Sequence, residues 1–134
     1  MANYYTHFAF DLVADAGDAE RFNQAIEEAG IADAATDDYP LDGIRCRFDI
    51  ETGTLAIFDS DGAPNLRALA KALQRFLPAR LPIGFVYSCS CDKPRPDGFG
   101  GGLFAIGAET IVHRDLGELL AEEIIELGEN CDAR

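Results

Sequence analysis

Two histidines, three serines and four cysteines are the side chains of this sequence suited to nucleophilic, acid–base or metal chemistry. Cys89 and Cys91 are two apart on a stretch that alternates like a strand, which puts them on one face with Cα atoms about 6.5–7 Å apart, at the limit for a disulfide. A zinc site would need two further ligands from Cys46, Cys131, His7 and His113, and no standard ligand spacing links them. No metal is therefore expected, and the thiols read as small reduced core residues. His7 and Asp11 share a strand face, a pairing that an open, solvated sheet explains as well as catalysis does. Around Ser60, Ser88 and Ser90 there is no G-x-S-x-G elbow.

The sharpest local signal is Leu55-Ala-Ile-Phe-Asp-Ser-Asp-Gly62. A strand ending in Asp-x-Asp-Gly resembles the first motif of haloacid-dehalogenase-type phosphohydrolases. That resemblance implies a nucleophilic role for Asp59, a proton shuttle at Asp61 and a bridging magnesium. The remainder of the chain departs from the pattern: it offers no later lysine and acidic pair at suitable spacing. The strand also follows a tight hairpin, unlike one in a parallel doubly wound sheet. Counted as a calcium loop from Asp59, position 12 is Ala70 instead of a glutamate, so the EF-hand pattern fails too. A turn in which Asp, Ser and Gly satisfy backbone groups is the favoured reading. No cofactor is expected.

The second signal is Ser90-Cys-Asp-Lys-Pro-Arg-Pro-Asp-Gly-Phe-Gly-Gly-Gly-Leu-Phe-Ala-Ile106. Phosphate-binding glycine loops lead into a helix, whereas these glycines lead into an apolar strand with no G-K-[ST], so close backbone packing is favoured. The segment resembles a motif of small acidic proteins from bacterial plasmids, prophages and other mobile elements, in which Cys-x-Lys-Pro-Arg precedes an aromatic-Gly-Gly-Gly turn. Members commonly carry aromatic residues, tryptophan included, before the last helix; here His113-Arg114 stand there and the chain has no tryptophan. The family has no established activity, so the resemblance implies context and no mechanism. Lys93, Arg95, Asp97 and Phe99 are the candidate binding residues of this loop.

The elements that must position these residues follow from periodicity. Alternation predicts strands over Tyr4–Val13, Arg45–Glu51, Thr54–Phe58 and Ile83–Cys91, and short strands over Leu103–Ile106 and Thr110–His113. Helical spacing predicts helices over Asp18–Ala29, Pro64–Leu77 and from Asp115 to before Gly128, with Asp18 as the first N-cap and a capping box at Asp115/Glu118. Residues 31–43 and 92–102 read as loops. The order β-α-β-β-α-β, then β-β-α, predicts one α+β domain over residues 1–134. Its core is a ferredoxin-like βαββαβ antiparallel sheet with helices on one face, extended by a C-terminal hairpin and helix.

Length and composition agree. The 134 residues suffice for one core, and 48% apolar content rules out disorder as the main state. No secretory signal pattern opens the chain and no apolar run would span a bilayer, so a cytoplasmic protein without membrane contact is expected. The net charge of −13 opposes bulk nucleic-acid binding. It is uneven: −11 over residues 1–61, +4 over 62–114 and −6 over 115–134.

These charges carry the functional expectation. Glu20, Glu27 and Glu28 on the first helix, and Glu118, Glu122 and Glu126 on the last, form an acidic surface suited to a basic protein partner. The expected function is that of a non-enzymatic interaction protein. It would imitate nucleic-acid charge to inhibit a nucleic-acid-processing or host-defence machine. Two alternatives stand beside it: a small phosphate-handling enzyme using Asp59/Asp61 or the Lys93–Gly102 loop, and an RNA-binding ferredoxin-like sheet using Phe58 and the basic edge Arg67, Lys71, Arg75.

Overall fold

Strict alternation from Tyr4 to Val13 produces strand β1, which turns Phe8, Phe10 and Leu12 to one side and His7, Ala9 and Asp11 to the other. The computed structural model describes residues 4–32, 41, 43–60, 62–93 and 99–132, apart from the side chains of residues 29–32 and 130–132. Along the chain come α1 (Ala16–Ala32), β2 (Ile44–Asp49), β3 (Thr54–Asp59) and α2 (Leu66–Phe76). A 3-10 turn over Pro78–Arg80 leads to β4 (Ile83–Cys91), β5 (Gly100–Ile106), β6 (Ile111–Asp115) and α3 (Leu116–Asp132).

The expected α+β class is found: three helices accompany one six-stranded sheet in the order β2-β3-β1-β4-β5-β6, with every neighbouring pair antiparallel. Phe22 and Ala25 of α1 and Leu66, Leu69, Ala70 and Leu73 of α2 meet Phe8, Leu55, Ile57, Phe85, Phe104 and Ile106 from one face of the sheet. Burying these side chains supplies the main favourable term in folding. The other face, carrying Ala9, Asp11, Val13, Arg45, Arg47, Gly84, Val86 and Ala105, receives neither helix.

Asn65 accepts the Ala68 amide at 3.1 Å and caps α2, and Pro78 stands just past its end. The first helix starts two residues earlier than expected. Asp15 takes the cap position and Asp18 reaches back from the first turn: the Asp18 amide donates to Asp15 Oδ1 (2.8 Å) and the Asp15 amide to Asp18 Oδ2 (3.1 Å), a reciprocal pair of end-group bonds. Asp18 is buried, with Arg80 Nε at 2.7 Å and Arg21 on its other oxygen, so the end of α1 is tied to the turn after α2.

Three further expectations change. Ile50 lies in the hairpin turn at 80% exposed instead of in a strand facing the core, because β2 ends at Asp49. Gly100–Gly102 belong to β5 and not to a loop, since the ladder with β4 continues to Cys89 opposite Gly100. Helix α3 passes through Gly128 without stopping; one glycine costs a helix only about 1 kcal/mol. Of the expected loop over residues 31–43, positions 33–40 and 42 lie outside the described residues.

Candidate functional site

The motif Asp59-Ser-Asp61-Gly62 sits where β3 leaves the sheet beside β1. Asp59 Oδ1 accepts the Phe8 amide at 2.8 Å, and Asp59 Oδ2 lies 2.9 Å from His7 Nδ1. Partial burial would raise the carboxyl pKa. The Phe8 amide, His7 and the Gly62 amide outweigh it and hold Asp59 below the ordinary carboxylate range. The chain then folds back across β1: Thr6 donates to the Gly62 carbonyl at 2.8 Å. Gly62 has φ +77°, and a Cβ there would come within 3.2 Å of the His7 ring, so glycine fits both the backbone and the space.

Asp59 is thus a tie between strands whose oxygens are engaged, and its strand runs antiparallel to both neighbours. Asp61 lies outside the described residues. The expected face-sharing of His7 with Asp11 does not produce contact; His7 turns to Asp59, 52 positions away. Ser88 stands opposite His7 in the β1–β4 ladder, yet no hydrogen bond joins them, so the Asp–His pair lacks a bonded nucleophile.

His113 is engaged as well. Its Nε2 lies 2.6 Å from the Tyr87 hydroxyl, and its ring stacks on Phe104 with centroids 4.5 Å apart. Phe104 stacks in turn on Phe85 at 5.3 Å, and Phe85 on Phe10 at 4.9 Å. A shallow cleft opens beside this row, walled by Tyr87, Phe104 and His113 and by Asn65 and Arg67 at the start of α2. Burial, aided by the acids nearby, raises the Tyr87 pKa, so the hydroxyl stays protonated at neutral pH.

The glycines of the second motif serve packing. A Cβ on Gly101, at φ +149°, would collide with the Tyr87 carbonyl, and one on Gly102 would lie 2.6 Å from the Tyr87 hydroxyl. Lys93 and Phe99 are exposed, and Arg95 and Asp97, which stand between them, lie outside the described residues. Cys46, Cys89 and Cys91 are free thiols; burial raises the pKa of Cys46. Among the described residues no three His, Cys, Asp or Glu side chains converge as a metal site, and no helix is long and apolar enough to cross a membrane.

The charged side chains separate by edge. Helix α1 packs beside the edge strand β2, and α3 beside β5 and β6, so the two acidic helices lie at opposite edges of the sheet. Glu118 and Glu122 are paired with Arg114, at 3.8 Å in the first case. Glu20, Glu27, Glu28, Glu123, Glu126 and Glu129 are exposed and have no ion-pair partner among the described residues. The basic edge Arg67, Lys71, Arg75 is exposed on α2, whereas Phe58 faces the opposite side of the sheet. These groups cannot form one RNA-binding surface.

Sequence reasoning missed the apolar side of α3. Leu116, Leu120, Ile124 and Leu127 recur along one side of the helix and are each 48–63% exposed. The signal was the i, i+4, i+8, i+11 spacing inside an otherwise acidic segment. No protein-family model, no curated protein and no solved structure matches the chain.

Proposed function

We propose that this chain is a non-enzymatic interaction protein that presents uncompensated carboxylates to a basic protein partner. One observation carries the reading: Glu123, Glu126 and Glu129 on α3, like Glu20, Glu27 and Glu28 on α1, face solvent without cationic partners among the described residues. Such charge raises association rates with a basic surface and makes binding sensitive to salt. The engagement of Asp59, His7 and His113 within the fold supports this over the phosphate-handling alternative. The acidic helices at opposite edges suit a broad basic partner, such as a nucleic-acid-processing or host-defence protein whose charged groove would be blocked. The sequence around Lys93, Arg95 and Phe99 resembles a motif of mobile-element proteins, and free thiols fit a cytoplasmic setting. The β2-β3-β1-β4 order supports a ferredoxin-like reading of the first four strands.

The test is affinity capture with the full chain, followed by a salt titration and by the triple change Glu123→Gln, Glu126→Gln, Glu129→Gln. The expected result is a basic partner whose affinity falls steeply between about 50 and 500 mM salt and falls at least tenfold with the triple variant. Capture of no basic protein, or binding indifferent to salt and to the variant, overturns the reading.

A further inference from the structure

We infer that the uncovered face of the sheet receives α3 of a second copy of this chain, reciprocally, in a two-fold dimer. Two surfaces are left uncovered by the described residues and match each other. The first is the side of α3 formed by Leu116, Leu120, Ile124 and Leu127, exposed at every position. The second is the sheet face opposite α1 and α2. There one row of residues crosses all six strands. Arg45 pairs with Phe58 and Phe58 with Ala9; Val86 lies beside Ala9, and pairs with Leu103, which pairs with Arg114. The row is apolar in the middle, with arginine at each end. Val86 is 68% exposed, and the small residues Ala9, Gly84 and Ala105 around it leave room for a helix.

The chain's own α3 does not fill this space. It follows β6 with no linker, Asp115 caps its start through the Gly117 amide at 2.6 Å, and Arg114 holds both Glu118 and Glu122. These contacts fix the direction in which α3 leaves, beside β5 and β6, and from Leu120 to Glu129 every residue is exposed. The part of the face over β2, β3, β1 and β4 stays open. Among the described residues the apolar side that suits it is that of α3, brought there by another molecule.

Charge selects the same occupant. Arg45 and Arg47 are exposed on this face without carboxylate partners among the described residues, and α3 carries Glu123 beside its apolar side. Asp11 lies in the adjoining row with Arg47, and Asp49 in the row beyond, which leaves the Arg45 row as the favoured track. Pairing α3 with another α3 would set glutamates against glutamates and leave the sheet bare. A reciprocal arrangement satisfies both surfaces of both copies and closes on itself. Glu123 serves both readings, but Val86 and the apolar side of α3 serve only this one, and Val86→Glu leaves every carboxylate of α1 and α3 in place, so either reading can fail alone.

Sedimentation equilibrium of the purified full chain from about 1 to 200 μM tests it. Wild type is expected at twice its 14.5 kDa chain mass. Ile124→Glu and Val86→Glu each alter an exposed position on a different surface, and each is expected to give a folded monomer, with unchanged circular dichroism and at least a hundredfold weaker dimerisation. A wild-type chain that stays monomeric throughout overturns the proposal. So does either variant dimerising as tightly as wild type; a dimeric Val86→Glu with a monomeric Ile124→Glu would mean that helices meet helices.

Discussion

His7 Nδ1 lies 2.9 Å from Asp59 Oδ2, which joins the middle of β1 to the end of β3 and turns the most enzyme-like motif of the sequence into a strand clasp. Asp59 also accepts the Phe8 amide, so removing its charge disturbs three groups together. Asp59→Asn is expected to destabilise the fold by about 1–3 kcal/mol, read by urea denaturation at neutral pH. A variant as stable as wild type would remove the clasp.

The same bond has a pH signature. Asp59 and Asp18 are both held below the ordinary carboxylate pKa when folded. At Asp18 burial acts upward, but bonds from Arg80, the Asp15 backbone and Arg21 prevail. The unfolded chain therefore binds protons first as pH falls, so this stability is complete above the unfolded value near 3.8 and is lost below it. Urea midpoints are expected to be level from about pH 5 to 7 and to drop between about pH 4 and 2. The drop should be smaller in Asp59→Asn.

Asp18 ties α1 to the turn after α2 through Arg80, whose side chain is partly exposed. Because solvent screens that partner, Asp18→Ala is expected to cost about 1–3 kcal/mol, less than severing a wholly buried pair. Thermal unfolding checks the value. Loss of less than half a kcal/mol would show that the network is ornamental.

The triple glycine gives a graded series. Gly100 has open space where a Cβ would stand, whereas Gly101 and Gly102 would collide with Tyr87 or with the Arg114 carbonyl. Gly100→Ala is expected to be within about 0.5 kcal/mol of wild type, and Gly101→Ala and Gly102→Ala to cost about 2 kcal/mol or more each. Equal effects at all three positions in urea denaturation would contradict the packing account.

Phe22 is fully buried between α1 and the sheet. Phe22→Ala is expected to lose about 3–5 kcal/mol, measured by the same denaturation series. A loss below about 1 kcal/mol would mean that the core closes over the gap.

What the sequence determined by itself is local. Alternation from Tyr4 to Val13 and from Ile83 to Cys91 defines both strands to the residue, because a period of two needs only near neighbours. The spacing of Phe22, Ala25, Leu69 and Leu73 likewise marks the core sides of two helices. Boundaries set by side chains reaching back or by ladder partners were less legible: Asp15 and Asp18 share the start of α1, and β4 draws Gly100–Gly102 into a strand. Only the tertiary structure decided the pairings that bear on function. His7 meets Asp59 across 52 positions and Tyr87 meets His113 across 26, and no periodicity encodes which strands lie side by side. The acidic residues were plain in the sequence, but the strand order divided them between two edges and left the apolar side of α3 bare. Burial is a property of the assembled surfaces, and a helix pattern states which side is apolar without stating what covers it.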